Sequence, residues 1–262
     1  MDTPQQEHYN VVLIGDCCSD IYHYGTCDRL SPEAPVPVLR ETRRVVQPGM
    51  SWNVRLNMES LGSFVLHYTN TEKINKHRFI DNKHNQHLIR WDEGEYQKIQ
   101  QINVDILHSA HKPDVVVISD YNKGFLPPNA CREIISYYKN LDPNIPIFVD
   151  TKKTDLSCFE GVFIKINEKE HESIEVFPMN SDFIVTLGER GTLYNGNIYP
   201  TNSVEVFDVC GAGDVFLSTL AHTYVKNKNM YDAIKSANKM ASISVSRMGT
   251  YVLTKEDIKE IL

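Results

Sequence analysis

The stretch DVCGAGDVFL, residues 208–217, sets three small residues, Gly211, Ala212 and Gly213, before a lone carboxylate, Asp214, and then an apolar run. Bare backbone at a helix start leaves amide N–H groups free to point at a ligand. The helix end adds roughly half a positive charge. Such a tip is an anion hole suited to a phosphoryl group. A carboxylate beside a bound anion is badly placed to bind phosphate but well placed to take a proton from an attacking hydroxyl. The same residues also describe a glycine-rich turn in which Asp214 merely starts a helix, and this stretch alone does not separate the two readings. Other phosphate motifs are missing: there is no G-x-x-x-x-G-K-[ST], and GAGDVF is not G-x-G-x-x-G.

Four apolar runs end in a polar residue: YNVVLIGD at Asp16, PDVVVISD at Asp120, IPIFVD at Asp150 and GVFIKIN at Asn167. Singly, each reads as a turn or cap residue. Together on one sheet edge they describe a polar cleft, because open α/β sheets bind ligands beyond the carboxyl ends of their strands. The six cysteines, at 17, 18, 27, 131, 158 and 210, contain no C-x-x-C and are expected to be scattered reduced thiols. The pairs His84–His87 and His108–His111 have i,i+3 spacing without a third ligand of clear type nearby, so neither is assigned a metal.

The elements that must position these groups follow from pattern. With 262 residues, 41% of them hydrophobic, the chain has enough apolar content for one large domain, or for a domain with a small appendage. Net charge is -7, from 34 acidic and 27 basic residues with no basic arm, which argues against a nucleic-acid partner. An anionic substrate would need a local basic pocket. The start, MDTPQQEHYN, is polar and no secretory signal, and no apolar run approaches the roughly 18–20 residues of a membrane helix. A soluble, cytoplasmic protein without a membrane partner is expected. Strands are predicted over 9–16, 63–68, 113–120, 145–150, 161–167 and 181–188, with two more around the turn DNKHN in 76–92. Helices are predicted over 51–62, ending at Gly62, and over 95–110, 127–141, 211–226, 230–247 and 254–261. The prolines of SPEAPVPVLR, at 32, 35 and 37, predict an edge strand or extended flap. Alternating buried strands and helices imply a mostly parallel sheet covered on both faces.

DVCGAGDVF resembles the D-T-x-G-A-G-D signature of the ribokinase-like, PfkB-type carbohydrate kinases, and the likeness runs over nearly the whole chain. GDCCSDIYHYGTCDRLSPEAPVPVLR is similar to the start of one branch, the D-glycero-β-D-manno-heptose-7-phosphate kinases. QPGMSWNVRLNMESLG resembles the second signature, P-G-G-A-A-N-V-A, and HLIRWD, ISDYNKG, VDTKKTD, TLGERG and NEKE look like further counterparts. The resemblance implies a ribokinase-like three-layer α/β/α sandwich over 1–262, with a small β lid from about 21–46 and 76–92. It implies an ATP-dependent kinase acting on O1 of a heptose 7-phosphate, with Asp214 as base and the backbone of Gly211, Ala212 and Gly213 on the transferring phosphoryl. Asp20 and Asn53 would hold sugar hydroxyls, and Arg90, Lys123 and Lys152 the substrate's own phosphate. Asn167 and Glu170 would organise Mg²⁺ through water. Thr186, Gly188 and Gly191 would line the nucleotide, Asn238 would lie near adenine, and Asp208 would help hold a monovalent cation such as K⁺. Lids of this kind often pair, so a homodimer through the lid is implied.

The chain departs from that pattern on the acceptor side. Met50 stands where the family has the second Gly of its pair, and Ser51 and Trp52 replace small residues. Met resists the backbone conformations that Gly allows. Trp52 is expected to fill space beside Asn53 and so to reshape or block the sugar pocket. The stretch between SFVLHYT and KHRFID lacks a further helix and strand, the stretch from Asn167 to Asp182 is shortened, and Cys210 is a minor change. These departures leave two other readings: a kinase for another sugar or a nucleoside, or a nucleotide-binding pseudokinase.

Overall fold

Strands form where the β-branched runs stand. The computed structural model describes residues 8–109, 111–247 and 249–260. In chain order the elements are β1 (Asn10–Gly15), β2 (Cys17–Thr26), β3 (Arg40–Met50), α1 (Ser51–Ser60), β4 (Phe64–Tyr68), β5 (Asn75–Asp81), β6 (Gln86–Glu93), β7 (Val115–Asp120), α2 (Pro128–Leu141), β8 (Ile147–Thr151) and β9 (Phe163–Asn167). There follow α3 (Glu168–Glu172), β10 (Asp182–Thr186), β11 (Thr192–Tyr194), β12 (Asn197–Tyr199), α4 (Ala212–Asn227), α5 (Met230–Val245) and α6 (Lys255–Ile258).

Eight strands make one sheet in the order β12-β11-β10-β9-β8-β7-β1-β4. All neighbours from β10 to β4 are parallel, and β11 and β12 extend the sheet as an antiparallel hairpin. Alternate residues of each strand serve opposite layers. Val12, Ile14, Val116, Ile118 and Val149 pack with Ala130, Ile134 and Tyr138 of α2. Val11, Leu13, Val115, Val117 and Phe148 pack with α1, α4 and α5 through Val54, Met58, Leu217, Leu220 and Ile234. Each such side chain contributes roughly 1.5–3 kcal/mol by leaving water. Helix α1 stops as predicted at a glycine: the Gly62 and Ser63 amides return to the carbonyls of Glu59 and Met58, and Gly62 takes φ 95°. That left-handed turn suits a residue without Cβ.

A second sheet, in the order β3-β2-β5-β6, is built from the segments expected to make the lid and takes that name. It starts earlier than the sequence predicts, because β2 follows β1 after only Asp16. At its other end β3 runs directly into α1. The two joints touch: the Ser51 amide donates to the Asp16 carbonyl at 3.0 Å, and Cys17 pairs with Met50. The prolines at 32, 35 and 37 lie in the loop before β3, where Leu30 and Pro37 form one isolated bridge.

The helix predicted over 95–110 does not form; only a 3₁₀ segment, Val104–Ser109, does, and residue 110 lies outside the described residues. Its backbone donors are taken elsewhere: the Gln100 amide by Glu72, at 2.8 Å, and the Ile102 amide by the Phe125 carbonyl, at 3.0 Å. Docking of Ile99, Ile102, Val104 and Leu107 onto the core wins over helical propensity. Strand β4 ends the large sheet, in keeping with the missing edge elements. Among the described residues no helix is long and apolar enough to cross a membrane.

Candidate active site

The strand order β9-β8-β7-β1 sets four polar strand ends side by side, so Asn167, Asp150, Asp120 and Asp16 line one edge of the sheet. The N-terminus of α4 meets this edge. Gly211 is its N-cap, at φ 78°, a left-handed conformation that favours glycine. A Cβ at Gly211 would lie 2.7 Å from Asn53 Nδ2, and one at Gly213 would lie 2.9 Å from Lys165 Nζ. Both glycines are therefore small for a reason of packing as well as of backbone. The Ala212 amide bonds back to the Val209 carbonyl, at 3.3 Å, and the Asp214 amide to that of Gly211, at 3.0 Å. The amides that the tip has left to offer an anion are those of Gly211 and Gly213.

Asp214 is buried, and each of its carboxylate oxygens receives one donor. Asn53 Nδ2 donates to Oδ2 at 3.1 Å, and the Tyr121 hydroxyl donates to Oδ1 at 2.8 Å. Burial raises its pKa to about 6, helped by the charge of Asp150; the two hydrogen bonds and Lys165 pull the other way. A carboxylate that titrates near neutrality, seated next to bare amides, is equipped to accept a proton. Asp16 is also raised to about 6, first by burial and then by Asp120. Its Oδ2 receives the Tyr121 amide at 2.8 Å, whereas its Oδ1 has no hydrogen-bond partner.

A chain of charges runs beneath the tip. Lys165, in the apolar strand FIKIN, reaches Asp150 Oδ2 at 2.6 Å, and Lys152 bridges Asp150 Oδ1 at 3.2 Å and Glu170 Oε1 at 2.5 Å. Burial pushes Asp150 up, but the two ammonium groups outweigh it and hold the carboxyl below its ordinary range. Asn167 and Glu170 cap α3 reciprocally: the Glu170 amide donates to Asn167 Oδ1 at 2.9 Å, and the Asn167 amide to Glu170 Oε2 at 2.8 Å. A cavity of about 340 Å³ opens beside them, lined by Lys152, Thr154, Asn167 and Glu170 among others. Its oxygen donors are of the type a hydrated divalent cation takes. Among the described residues no group of three or more His, Cys, Asp or Glu is arranged as a direct metal cage.

On the lid side, Asp20 is buried and paired with Arg78. A Cβ at Gly49 would overlap the Asp20 carboxylate, which is why the glycine of QPGM is needed. The structure divides the three predicted phosphate ligands. Lys123 pairs with Glu95 at 2.8 Å, Lys152 joins the acids near α3, and Arg90 lies exposed on β6, held by Asp92 at 2.7 Å. Lys76 and Arg78, which the motifs did not single out, join them: Lys76 Nζ is 5.6 Å from the Tyr121 ring centre, about as near as Lys152 Nζ at 5.5 Å, and Arg78 pairs with Asp20. Arg78 also contacts Cys210 Sγ at 3.7 Å.

The remaining predicted residues are spread along the sheet beyond α3. Thr186 ends β10 opposite Asn167. A Cβ at Gly188 would meet nothing within 4 Å, so that side is open, whereas one at Gly191 would overlap the Tyr199 carbonyl. Asn238 is occupied at both ends, accepting from Thr192 at 2.7 Å and donating to the Tyr199 carbonyl at 3.0 Å. The Asp208 oxygens accept the Cys210 and Gly249 amides, each at 2.9 Å.

Two expectations about the acceptor side change. Met50 does adopt the conformation that glycine favours, φ 57° and ψ -135°, and caps α1. Such a position costs on the order of 1–3 kcal/mol. Its side chain is buried in the core beside Cys18 and Ile74, which offsets that cost. Trp52 lies partly in solvent. It is 42% exposed and packs edge-on to His67, because neighbours on a helix point about 100° apart.

Residues 54–257 match the pfkB family of carbohydrate kinases. The chain belongs to that family. It is a phosphotransferase with an alcohol group as acceptor, and such kinases use ATP with a divalent metal. The bifunctional protein HldE of Campylobacter jejuni (strain RM1221) is 31% identical over 300 residues, covering 97% of this chain and 65% of the relative. HldE of Photobacterium profundum is 31% identical over 315 residues, covering 99% of this chain and 64% of the relative. The kinase thus spans about 65% of the length of such relatives. An alignment of 300 residues also exceeds the 262 of this chain, so the relative carries segments with no counterpart here. Phosphofructokinase-2 from Escherichia coli, in complex with potassium, shares the fold at TM-score 0.73 and 15% identity, covering 97% of this chain and 98% of that one. Arabidopsis thaliana ribokinase, complexed with ribose and ATP, does so at 0.70 and 13%, covering 97% and 99%. The ribokinase-like fold expected from the motifs is the fold found.

Proposed function

We propose that this kinase transfers the γ-phosphoryl group of ATP to O1 of a heptose 7-phosphate, with Asp214 as the base. The observation that carries the chemistry is a buried carboxylate, with a pKa near 6, one residue from an unhindered helix tip. The acceptor O–H gives its proton to Asp214, the O–P bond forms, and the bond from Pγ to the bridging oxygen breaks. ADP leaves with that electron pair. The amides of Gly211 and Gly213 and the nearby Lys165 take up charge on the transferring group. Asn167 and Glu170 would hold Mg²⁺ through water, and the ion would supply charge neutralisation for the phosphates. Asp20 and Asn53 orient the sugar, and Lys76, Lys123 and Lys152 supply the positive field for its phosphate. Thr186 and Gly188 border the nucleotide, with Gly191 and Asn238 shaping the wall behind it. Asp208 is assigned a monovalent cation, since each of its oxygens keeps a lone pair beyond the amide it accepts.

Heptose 7-phosphate as acceptor is supported by the branch-specific R-x-S-P-E-A-P-V-P element and by coverage of nearly the whole chain in the HldE relatives. A homodimer through the lid is supported by its exposed apolar residues Val46, Ile89 and Trp91. Six unpaired cysteines fit a cytoplasmic setting. We read residues 1–262 as one kinase domain. The test is an ADP-release assay over heptose 7-phosphate, fructose 6-phosphate, ribose and adenosine, with wild type and Asp214→Asn. Turnover of heptose 7-phosphate at least tenfold above the others, abolished in the variant, is expected. Equal activity of both proteins would remove Asp214 as base, and preference for another acceptor would replace the substrate.

A further inference from the structure

We infer that Tyr121 is a positioning residue for Asp214, and that its phenol sets both the direction and the proton affinity of that carboxylate. The inference rests on Asp214 being the base. Tyr121 follows β7 directly, and its amide is anchored on the buried Asp16 at 2.8 Å. Its ring packs against the core on the α2 side of the sheet. From there the hydroxyl reaches Asp214 Oδ1 at 2.8 Å, across 93 residues of sequence. The backbone of one strand end and the side chain of another element thus meet through one phenol.

Two features make this more than a filled hydrogen bond. First, Asn53 holds the other oxygen, so the carboxylate plane is fixed by two donors from two different elements, α1 and the end of β7. An acceptor hydroxyl must approach a lone pair whose direction these donors determine. Second, the phenol donates to Asp214, while the cations Lys76 and Lys152 lie 5.6 and 5.5 Å from the centre of its ring. A hydrogen bond to an ionised carboxylate stabilises the charged form. Together with Asn53 and Lys165, and against burial and the charge of Asp150, Tyr121 therefore favours the ionised form that a base needs before it can act.

The experiment reads the carboxyl directly. Protein labelled with ¹³C at aspartate carboxyls is titrated without ligands, the Asp214 signal being assigned by its loss in Asp214→Asn. In Tyr121→Phe, which keeps the ring and its packing, the midpoint is expected to rise by about 1 pH unit. The acidic limb of kcat/KM for heptose 7-phosphate should rise with it, and kcat on the plateau should fall about tenfold, with KM for ATP unchanged. Site-specific 3,5-difluorotyrosine at 121, a stronger donor, should move the midpoint the other way, and it serves if Tyr121→Phe folds poorly. An unchanged midpoint in either protein overturns the inference. A shifted midpoint in an enzyme whose Asp214→Asn form keeps full activity would instead leave the positioning intact and remove the base.

Discussion

The helix tip and the edge strand of the second sheet, β6, treat charge in opposite ways. Beneath the tip, Lys165 and Asp150 are buried and in contact at 2.6 Å, and the Asp214 carboxylate sits among donors already in place. On the lid, Arg90 and Asp92 pair in solvent, and such pairs contribute little to stability. The lid sheet is held instead by a column of rings: Phe79 on His23 at 4.4 Å, His23 on His77 at 5.2 Å, and His77 on Trp91 at 4.6 Å. The difference separates two tasks. The transfer side must be arranged before the reaction, because reorganising dipoles around a moving phosphoryl is costly. The acceptor side must admit a sugar, and it joins the body at two adjacent points, Asp16 and Met50.

That contrast is open to breaking. The largest effect is expected at the tip. Asp214→Asn should lower kcat about 10³-fold while the fold persists, checked by turnover and thermal melting. Gly211→Ala comes next. At φ 78°, and 2.7 Å from Asn53 Nδ2, the new methyl should cost about 1–3 kcal/mol and lower kcat at least about tenfold, read from urea unfolding and kinetics. Met50→Gly tests the joint. Relief of about 1–3 kcal/mol of strain is set against about 2–5 kcal/mol of lost packing, so a net loss of about 1–2 kcal/mol is expected in urea.

A pH series sharpens the comparison further. Asp16 and Asp214 are raised from 3.8 to about 6 in the folded protein. A carboxylate so raised binds its proton more readily folded than unfolded, so its contribution is full at low pH and is lost as pH rises from about 4 to about 6. Asp16→Asn should remove part of that slope, making the variant more stable than wild type at pH 7 but not at pH 4. Urea midpoints at the two pH values check it. Trp52→Ala should do least: its side chain is 42% exposed and its ring contact is to His67, so KM for the acceptor should stay within about twofold.

Much of this was legible in the residues. The strand ends, the glycine stop of α1 and the tip before Asp214 are local patterns, and local sterics decide them. Segment 95–110 misled because its apolar spacing fits a helix, whereas its amides are claimed by Glu72 and Phe125. The lone Lys in FIKIN was the available signal for a buried cation, and it was missed, as were Lys76 and Arg78 in KHRFID.

The sequence by itself determined the alternation of strands and helices, the acids at the strand ends and the unhindered backbone before Asp214, because each depends on near neighbours. Tertiary structure alone decided that Tyr121 and Asn53, 93 and 161 residues away, would share Asp214, and that Trp52 would turn outward and Met50 inward. The reason is that parallel strands are joined by crossovers. Which strand ends become neighbours, and so which donors reach Asp214, depends on packing across the whole sheet.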